Sequence, residues 1–392
     1  MSVATTAEET RQPTRRATRA LVAHVVPEYL PRSATFIHTL LTHQTRFRAL
    51  VLAEVTSHLD EFPIERALAL GEQLRPARRL TRAFRRVGAR RPSPYARRVA
   101  DEAARAGCAL IHAHFGWSGR DSVEAARRLE IPLVTTFYGR DISEASRARR
   151  SRPYAELFEH GSLFVVEGPA MADHVSRIGC PAERTRVVPI GIDLDLFPFA
   201  ERPRGTPFVA VQAARFVEKK GFDLSIRAFA AARHDLGPSE LWLVGGGPER
   251  SKLERLVAEL GIADAVRFPG LVSHAEYAAL VSQADVALQP SRTASDGDTE
   301  GGAPTVILEL QALGIPVVAA RHADIPFVVP RPDELVAEED VDALADALLR
   351  VAGESDASRQ ERVREARAFV ERQHDARVTA AFVESLYDEV LA

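Results

Sequence analysis

Cysteine and long apolar segments are scarce in this 392-residue chain. Its two cysteines, Cys108 and Cys180, are too few for a disulfide framework, so we expect small buried residues in a protein of a reducing compartment such as the cytoplasm. No apolar run approaches the roughly 18 residues of a membrane-spanning helix. Residues 1–19 lack the apolar core of a secretory signal, and they are expected to form a disordered tail.

Lysine is also scarce, since only three of the 51 basic residues are lysines. Two of them, Lys219 and Lys220, are adjacent and precede Gly221. The sequence G-x-x-x-x-G-K-[ST] is absent, which argues against a P-loop kinase or ATPase. The turn "VGGGPE" (244–249) is not a dinucleotide fingerprint either, because Arg250 occupies the place of the third glycine.

Short apolar runs alternate with amphipathic segments along most of the chain. Runs such as "ALVAHVV" (20–26) and "PFVAVQAA" (207–214) are typical of buried parallel strands, and segments such as 249–260 predict helices between them. Prolines and polar residues interrupt the pattern at 193–207, which indicates a linker. We therefore predict an α/β protein with two Rossmann-like, doubly wound domains that face each other across a cleft.

The last part of the chain, residues 339–392, is predicted to be helical. Val378, Phe382, Leu386 and Val390 recur at four-residue spacing, and we expect them to form one apolar face.

The segment "DGDTEGGAPTVILELQALGIPVVAA" (296–320) carries the most specific combination of residues. Gly301 and Gly302 precede Pro304, which is predicted to occupy the first turn of a helix. Glycine backbones let a ligand approach closely, and the unpaired N–H groups of a helix N-terminus bind phosphate. Glu300 and Glu309 could accept hydrogen bonds from hydroxyls, one from a sugar and the other from a ribose. The alternative is an ordinary strand–loop–helix with Glu300 in a capping role.

The segment "RFVEKKG" (215–221) follows the first strand of the second predicted domain. Arg215 would lie at the carboxyl end of that strand and Lys220 just before the next helix, where a diphosphate would bind. Arginine supplies a rigid fork of donors and lysine a mobile point charge. The alternative is a solvated basic loop, and Lys219 is predicted to be a solvated neighbour.

Two segments resemble metal sites in part. "HAHFG" (112–116) places His112 and His114 on one face of a strand, but no third ligand is apparent, so His114 is expected to line the cleft. Asp296 and Asp298 form an Asp-x-Asp pair in a loop of small residues rather than directly after a strand. We therefore expect no metal and no other cofactor.

Residues 75–98 contain ten arginines and no acidic residue. A basic amphipathic helix with Leu80, Phe84 and Val87 on one face could contact an anionic membrane through Arg78–Arg91, at the inner membrane surface. A solvated helix is an equally good interpretation. Nucleic acid is not an expected partner, because aromatic residues are few in this segment and no known binding motif is present.

Taken together, several motifs resemble the family 4 glycosyltransferases, which have the GT-B fold, and the resemblance extends from about residue 20 to 390. The motifs are "ATFIHTLL", "HAHFG", "TTFYGRDIS", "VVPIGIDLDLF", "ARFVEKKGFDLSIRAF", "LVGGGPERSKLERL", "FPGLVSHAEY" and "EGGAPTVILELQALGIPVVA". Within the family, the sequence is most similar to the branch of colanic-acid-like exopolysaccharide synthesis.

The resemblance implies retaining, metal-independent transfer of a sugar from a nucleotide-diphosphate sugar to a hydroxyl acceptor. Arg215 and Lys220 would bind the diphosphate, Glu309 the ribose, and Glu300 with the amides of Gly301 and Gly302 the donor sugar. It also implies ligand-binding roles for the corresponding residues of the other motifs, namely Thr35, His114, Asp141, Gly246, Val272, Ala303 and Pro304.

The resemblance also implies a domain assignment. The first domain comprises residues 20–195 and binds the acceptor, and the second comprises 206–374 and binds the donor. The last helix, within 375–392, is expected to return to the first domain.

The sequence departs from the family pattern at two positions. Tyr138 stands where the family has a histidine that contacts the donor sugar, and a phenol with a pKa near 10 is a poor proton shuttle at neutral pH. Eight residues rather than seven separate Glu300 from Glu309. Two further hypotheses therefore stay open: a nucleotide-sugar-binding protein without transfer activity, and a phosphorylase or phosphate-dependent synthase on the same fold.

Overall fold

The computed structural model describes residues 19–31, 34–71, 94–147 and 153–392. The predicted tail, apart from its last residue, and the arginine-rich segment Arg78–Arg91 lie outside the described residues. In the described part of the chain, no helix combines the length and the apolar character needed to cross a membrane.

The first half of the described chain forms a parallel sheet of seven strands in the order β3-β2-β1-β4-β5-β6-β7. The central strands are short apolar runs buried between helices, whereas the edge strands at Ala67–Ala69 and Thr185–Val187 are only partly buried. The strands are β1 (Leu21–Tyr29), β2 (Arg48–Thr56), β3 (Ala67–Ala69), β4 (Cys108–His114), β5 (Leu133–Thr136), β6 (Leu163–Val166) and β7 (Thr185–Val187).

Helices cover both faces of this sheet. Ile111 packs with Val99 and Val123 on one face, and Leu110 packs with Leu386 and Tyr387 on the other. The helices of this half are α1 (Thr35–His43), α2 (Pro94–Ala106), α3 (Gly116–Leu129), α4 (Arg140–Arg147), α5 (Ala155–His160) and α6 (Pro169–Arg177).

The second half repeats the architecture with a six-stranded parallel sheet in the order β10-β9-β8-β11-β12-β13. Its strands are β8 (Phe208–Ala213), β9 (Ser239–Val244), β10 (Val266–Gly270), β11 (Val286–Gln289), β12 (Val317–Ala320) and β13 (Leu335–Val336). The helices are α7 (Phe222–Leu236), α8 (Arg250–Glu259), α9 (His274–Val281), α10 (Thr305–Leu313), α11 (Ile325–Val328), α12 (Val341–Gly353), α13 (Asp356–Gln373) and α14 (Ala376–Leu391). The predicted α/β architecture with two doubly wound domains is confirmed.

Helix α14 lies on the first sheet. Tyr387 Oη is 2.6 Å from His112 Nδ1, and the buried Glu384 accepts hydrogen bonds from the backbone N–H groups of Arg46 and Phe47 at 2.6 and 3.0 Å. The prediction that four residues of this helix form one apolar face is wrong in part, because Val378 and Phe382 are 48% and 42% exposed. A spacing of four residues drifts by about 40° per step around a helix, so four such residues cannot share one narrow face.

Two further local differences separate prediction and structure. The short edge strands β3 and β13 were not predicted, since two or three residues carry no periodic signal. Pro304 has an extended ψ of 127° and caps helix α10, which begins at Thr305, instead of lying in the first turn as predicted.

Candidate active site

A cleft of about 460 Å³ lies between the two domains, and residues that follow strands of both sheets line it. The carboxyl ends of the strands and the N-termini of the helices that follow them lie at the same edge of each sheet. The cleft is therefore lined by loops from both domains. From the second domain it is lined by Ala213, Ala214, Arg215, Lys219, Lys220, Glu300, Gly302, Ala303, Pro304, Thr305 and Val306. From the first domain it is lined by Pro27, Glu28, Pro31, Ala34, Phe36, Phe115, Trp117, Tyr138, Arg140, Glu167 and Ile190.

Lys220 and Glu300, predicted for the same ligand, form an ion pair at 2.8 Å between Nζ and Oε2. Ser291 donates to the other carboxylate oxygen of Glu300 at 2.6 Å. Burial by itself raises the pKa of Glu300, but the charges of Lys220 and Lys219 outweigh it and leave the pKa below its usual range. The site therefore holds a carboxylate and an ammonium that a donor could separate, one toward a sugar and the other toward a phosphate.

Lys219 is not a solvated neighbour, as predicted, but a buried residue that is only 6% exposed. Its ammonium donates to the carbonyl oxygen of Thr299 at 2.9 Å and pairs with Asp298 at 3.2 Å. Asp298 also accepts a hydrogen bond from Ser143 of the first domain at 2.9 Å. Asp298 of the Asp-x-Asp pair thus anchors the loop to the first domain, and Lys219 fixes the residues directly before Glu300.

A second anchor holds the same loop from the opposite side. Thr299 Oγ1 lies 2.7 Å from His322 Nε2, which also accepts the backbone N–H of Glu300 at 3.3 Å. Glu338 accepts from His322 Nδ1 at 2.8 Å, which leaves Nε2 as the acceptor. Residues Thr299 and Glu300 are therefore fixed before any ligand arrives.

Helix α10 points its N-terminus at the cleft, since Pro304, Thr305 and Val306 line it. The first turn of a helix has unpaired N–H groups and a partial positive charge, so this end suits a phosphate. Arg215 lines the same cleft, and its side chain makes no hydrogen bond or ion pair to the described residues. Arg215, Lys220 and the helix end together concentrate positive potential on one wall.

Gly301 lies outside the cleft lining, where it packs against Gly139 of the first domain. A Cβ on Gly301 would lie 2.3 Å from Gly139 Cα, and both glycines have positive φ, 78° and 89°. Nearby, Asp324 of the second domain accepts the backbone N–H groups of Ala170 and Met171 at the start of helix α6, at 2.7 and 3.1 Å. The two domains are therefore in close contact behind the cleft.

Glu309 lies one helical turn farther along α10 and lines an adjoining cavity with Thr35, Arg215 and Val272. Burial raises the pKa of Glu309 to about 7, while a hydrogen bond with Tyr277 opposes the shift. Gly246 does not line the cavities around the cleft in the described part of the chain; it packs against Leu271, whose Cγ lies 3.4 Å from where a Gly246 Cβ would be. Glu309, Thr35 and Val272 thus come together in a place suited to a ribose and its base.

Tyr138 lines the cleft, whereas His114 lies behind it, so the prediction that His114 lines the cleft is wrong. The Tyr138 Oη lies 2.8 Å from His114 Nδ1, and His114 Nε2 lies 3.1 Å from Nδ1 of His24. His114 is fully buried because the tyrosine ring, parallel to the imidazole within 12°, covers it. Its effect on a ligand would pass through Tyr138.

The structure supplies a third histidine beside the predicted pair, since His24, His112 and His114 form a buried cluster. His112 uses both ring nitrogens, at 2.6 Å from Tyr387 Oη and 2.7 Å from Thr136 Oγ1. Burial lowers the pKa of all three imidazoles, that of His112 to about 3. Among the described residues, His24 Nε2 is the single ring nitrogen of the cluster without a hydrogen-bond partner. One such nitrogen does not provide a metal ligand set.

Asp141 does not line the cleft and is fully buried, so the predicted contact with a ligand is wrong. Its carboxylate accepts the backbone N–H of Gly116 at 2.6 Å and that of Tyr138 at 3.2 Å. Burial raises its pKa to about 6, and these hydrogen bonds oppose the shift. Asp141 thus joins the loops after β4 and β5 and holds Tyr138 in place.

Among the residues of the first-domain wall that sequence reasoning missed are Phe115, Trp117 and Glu167. Phe115 follows directly after β4 and Glu167 directly after β6, at the carboxyl edge where ligands bind. The position of both residues at a strand end was therefore the available signal.

Comparison with known proteins supports the fold and identifies the family. Residues 32–196 match the family model described as Glycosyltransferase Family 4, and residues 195–369 match the model described as Glycosyl transferases group 1. The chain therefore belongs to the family 4 glycosyltransferases and has their GT-B architecture.

Two relatives with named roles are bacterial. The chain is 34% identical over 245 residues to WcaL of Escherichia coli strain K12, which is named for colanic acid biosynthesis, across 60% of this chain and 59% of that protein. It is 32% identical over 250 residues to the amylovoran biosynthesis glycosyltransferase AmsK of Erwinia amylovora, across 62% and 61%. The matched region thus spans about 60% of the length of these relatives.

Two solved structures have the same overall fold. Anabaena HepE, crystallised in complex with UDP, has a TM-score of 0.73 at 18% identity, covering 94% of this chain and all of that one. The sucrose-phosphate synthase of Thermosynechococcus elongatus has a TM-score of 0.68 at 20% identity, covering 95% and 99%.

Proposed function

We propose that the protein is a retaining glycosyltransferase that moves a sugar from a nucleotide-diphosphate sugar to a hydroxyl acceptor. The observation that carries the proposal is the Lys220–Glu300 ion pair beside Arg215 and the N-terminus of α10, in a cleft between two domains. The family, the complexes of HepE with UDP and UDP-glucose, and the names of WcaL and AmsK all support it. The last two favour a role in exopolysaccharide synthesis.

The residues fit the charge changes of this reaction. Cleavage of the sugar–phosphate bond builds negative charge on the diphosphate, which Arg215, Lys220 and the amides of α10 would stabilise. Glu300 would accept hydrogen bonds from sugar hydroxyls once Lys220 turns to the phosphate, and Glu309 would accept those of the ribose. A diphosphate oxygen would assist the acceptor hydroxyl, so that no protein nucleophile is required. Closure of the two domains over the donor would limit access of water to it.

Several parts of the proposal concern partners and location. The acceptor would bind the first-domain wall, and no metal would be required. We propose a cytoplasmic enzyme that contacts the inner membrane through the arginines of 78–91, outside the described residues. A liposome-pelleting comparison of wild type with Arg-to-Glu variants across 78–91 tests the contact: equal pelleting with anionic vesicles would contradict it.

A nucleotide-sugar-binding protein without transfer activity is the second candidate, and it rests on Tyr138 and the extra residue of the glycine loop. A phosphorylase or synthase on the same fold is the third. A thermal-shift screen with UDP, GDP and ADP, followed by nucleotide sugars with mass detection of products, separates them. Transfer to a hydroxyl acceptor supports the proposal; tight donor binding without turnover over a broad acceptor panel supports the second candidate. Sugar phosphate formed from inorganic phosphate supports the third.

A further inference from the structure

The first-domain wall of the cleft is built largely of aromatic rings. Phe36 and Phe115 each pack on Tyr138, with centroid distances of 4.7 and 4.9 Å, and Phe115 is parallel to Trp117 within 11° at 5.1 Å. All four rings line the cleft. A cleft wall built of adjoining aromatic side chains suits the apolar C–H groups of a sugar ring.

The backbone of Phe115 is strained in a way that serves this surface. Phe115 has φ 74° and ψ 142°, a region that bulky residues avoid. The hydrogen bond from Gly116 N to Asp141 and that from Phe115 N to the carbonyl oxygen of Thr136, at 2.8 Å, fix the turn. Such backbone strain persists only where the surroundings enforce it, and here the turn brings the Phe115 ring against Trp117 and Tyr138.

Glu167 adds a carboxyl group beside the aromatic surface. It lines the cleft, makes no hydrogen bond or ion pair with the described residues, and its Oε2 lies 2.1 Å from where a Cβ of Gly302 would be. Burial raises its pKa, and the carboxylates of Asp324 and Asp141 raise it further. A hydrogen-bonding group in this position, next to the loop assigned to the donor sugar, lacks a partner until a ligand supplies one.

We propose that the acceptor is a neutral saccharide whose ring stacks on Phe36, Phe115, Trp117 and Tyr138 and whose hydroxyl is held by Glu167. The inference rests on the proposed transfer function and names the acceptor class for the same cleft. Glu28 and Glu167 line this wall. A carboxyl group there does not favour a phosphorylated or uronic acid unit, because an ionised one repels the anion and a protonated one supplies no compensating charge. Arg140 also lines the wall, and its side chain is exposed.

Binding and turnover with defined probes test the proposal. Saturation-transfer NMR in the presence of UDP compares the binding of methyl glucoside, galactoside and mannoside with that of their 6-phosphates. Turnover with the donor identified by the nucleotide-sugar screen is then measured to obtain kcat and the KM for the acceptor. The neutral glycosides are expected to bind at least tenfold more tightly. Preferred binding of the 6-phosphates would overturn the inference of a neutral acceptor but would not contradict the transfer function. Binding of the neutral glycosides without turnover would support the inference about the binding surface and would contradict the transfer function.

Two sets of variants separate the contributions. Trp117→Ala and Glu167→Ala are expected to raise acceptor KM at least tenfold with kcat within threefold, while Glu167→Gln, which keeps a hydrogen-bonding group of the same size, retains most of the affinity. Phe382→Ala, on the outer face of α14, is the matched aromatic control. An unchanged acceptor KM in Trp117→Ala and Glu167→Ala would overturn the assignment.

Phe115 permits a test of the strain itself. Phe115→Gly and Phe115→Ala both remove the ring, but only glycine relieves the backbone. Both are expected to raise acceptor KM, and the glycine variant should unfold at a higher denaturant concentration than the alanine variant. Equal stability would contradict the strained turn.

Discussion

Gly139 and Gly301 touch backbone to backbone across the domain interface, so that a Cβ on Gly301 would meet Gly139 Cα at 2.3 Å. The first follows β5 directly after Tyr138, and the second lies in the loop assigned to the donor sugar. A contact this close can form only between residues without side chains. It ties the separation of the two domains to the position of Glu300, the neighbour of Gly301.

Gly301→Ala is expected to keep the two domains from reaching this contact. Turnover should fall on the order of 100-fold, because a displacement of about 1 Å at the reacting groups has that effect. Small-angle scattering with bound nucleotide would show a larger radius of gyration, and turnover would be measured in parallel. Gly107→Ala is the control, since Gly107 has a similar φ of 70° but no atom within 4 Å of its Cβ position. Equal turnover in both variants would contradict the contact.

Lys220→Ala and Arg215→Ala are each expected to weaken nucleotide-diphosphate binding. Loss of a hydrogen bond to a charged group costs about 2 kcal/mol, which corresponds to roughly 30-fold in Kd. Titration calorimetry with UDP, GDP and ADP provides the measurement. If both variants bind the preferred nucleotide as wild type does, the assignment of the diphosphate site is wrong.

Lys219→Met should act mainly on stability and on the glycine loop. Removal of Lys219 takes the ion-pair partner from the half-buried Asp298, which keeps its hydrogen bonds from Ser143 and Thr299, so the free energy of unfolding should fall by about 2 kcal/mol. Denaturant unfolding measures the loss. Lys252→Met, which removes the third lysine from an exposed pair with Glu249, should change stability by no more than about 0.5 kcal/mol. Similar losses in the two variants would show that Lys219 is not an anchor.

Nucleotide affinity is expected to depend on pH through Glu309. Its pKa is raised to about 7, and only the carboxylate accepts both ribose hydroxyls, so affinity should rise with pH through 7 and fall about tenfold per unit below it. Titrations from pH 5.5 to 8.5 measure the profile. In Glu309→Gln the diphosphate of the nucleotide still ionises, but the carboxyl group with a pKa of about 7 is absent. The change in nucleotide affinity near pH 7 should therefore be lost. An identical profile in the variant would refute the role of Glu309.

Much of the donor half of the site could be predicted from sequence. Arg215, Lys220, Glu300 and Glu309 follow strands or begin helices, and local pattern is enough to place such residues at one sheet edge. The same reasoning failed for Lys219 and His114, which are both buried. Their predicted positions were wrong because burial depends on partners far away in sequence, such as Asp298 for Lys219 and His24 for His114.

The sequence by itself determined the two doubly wound domains, because the alternation of apolar runs and amphipathic segments is a local property. It also determined which loops would face the cleft. Only the tertiary structure decided which of two adjacent lysines pairs with Glu300 and which anchors the loop, how Gly139 meets Gly301, and that Phe115, Trp117 and Glu167 share one wall. These relationships join residues from different strands and domains, and the packing of the whole chain sets their distances.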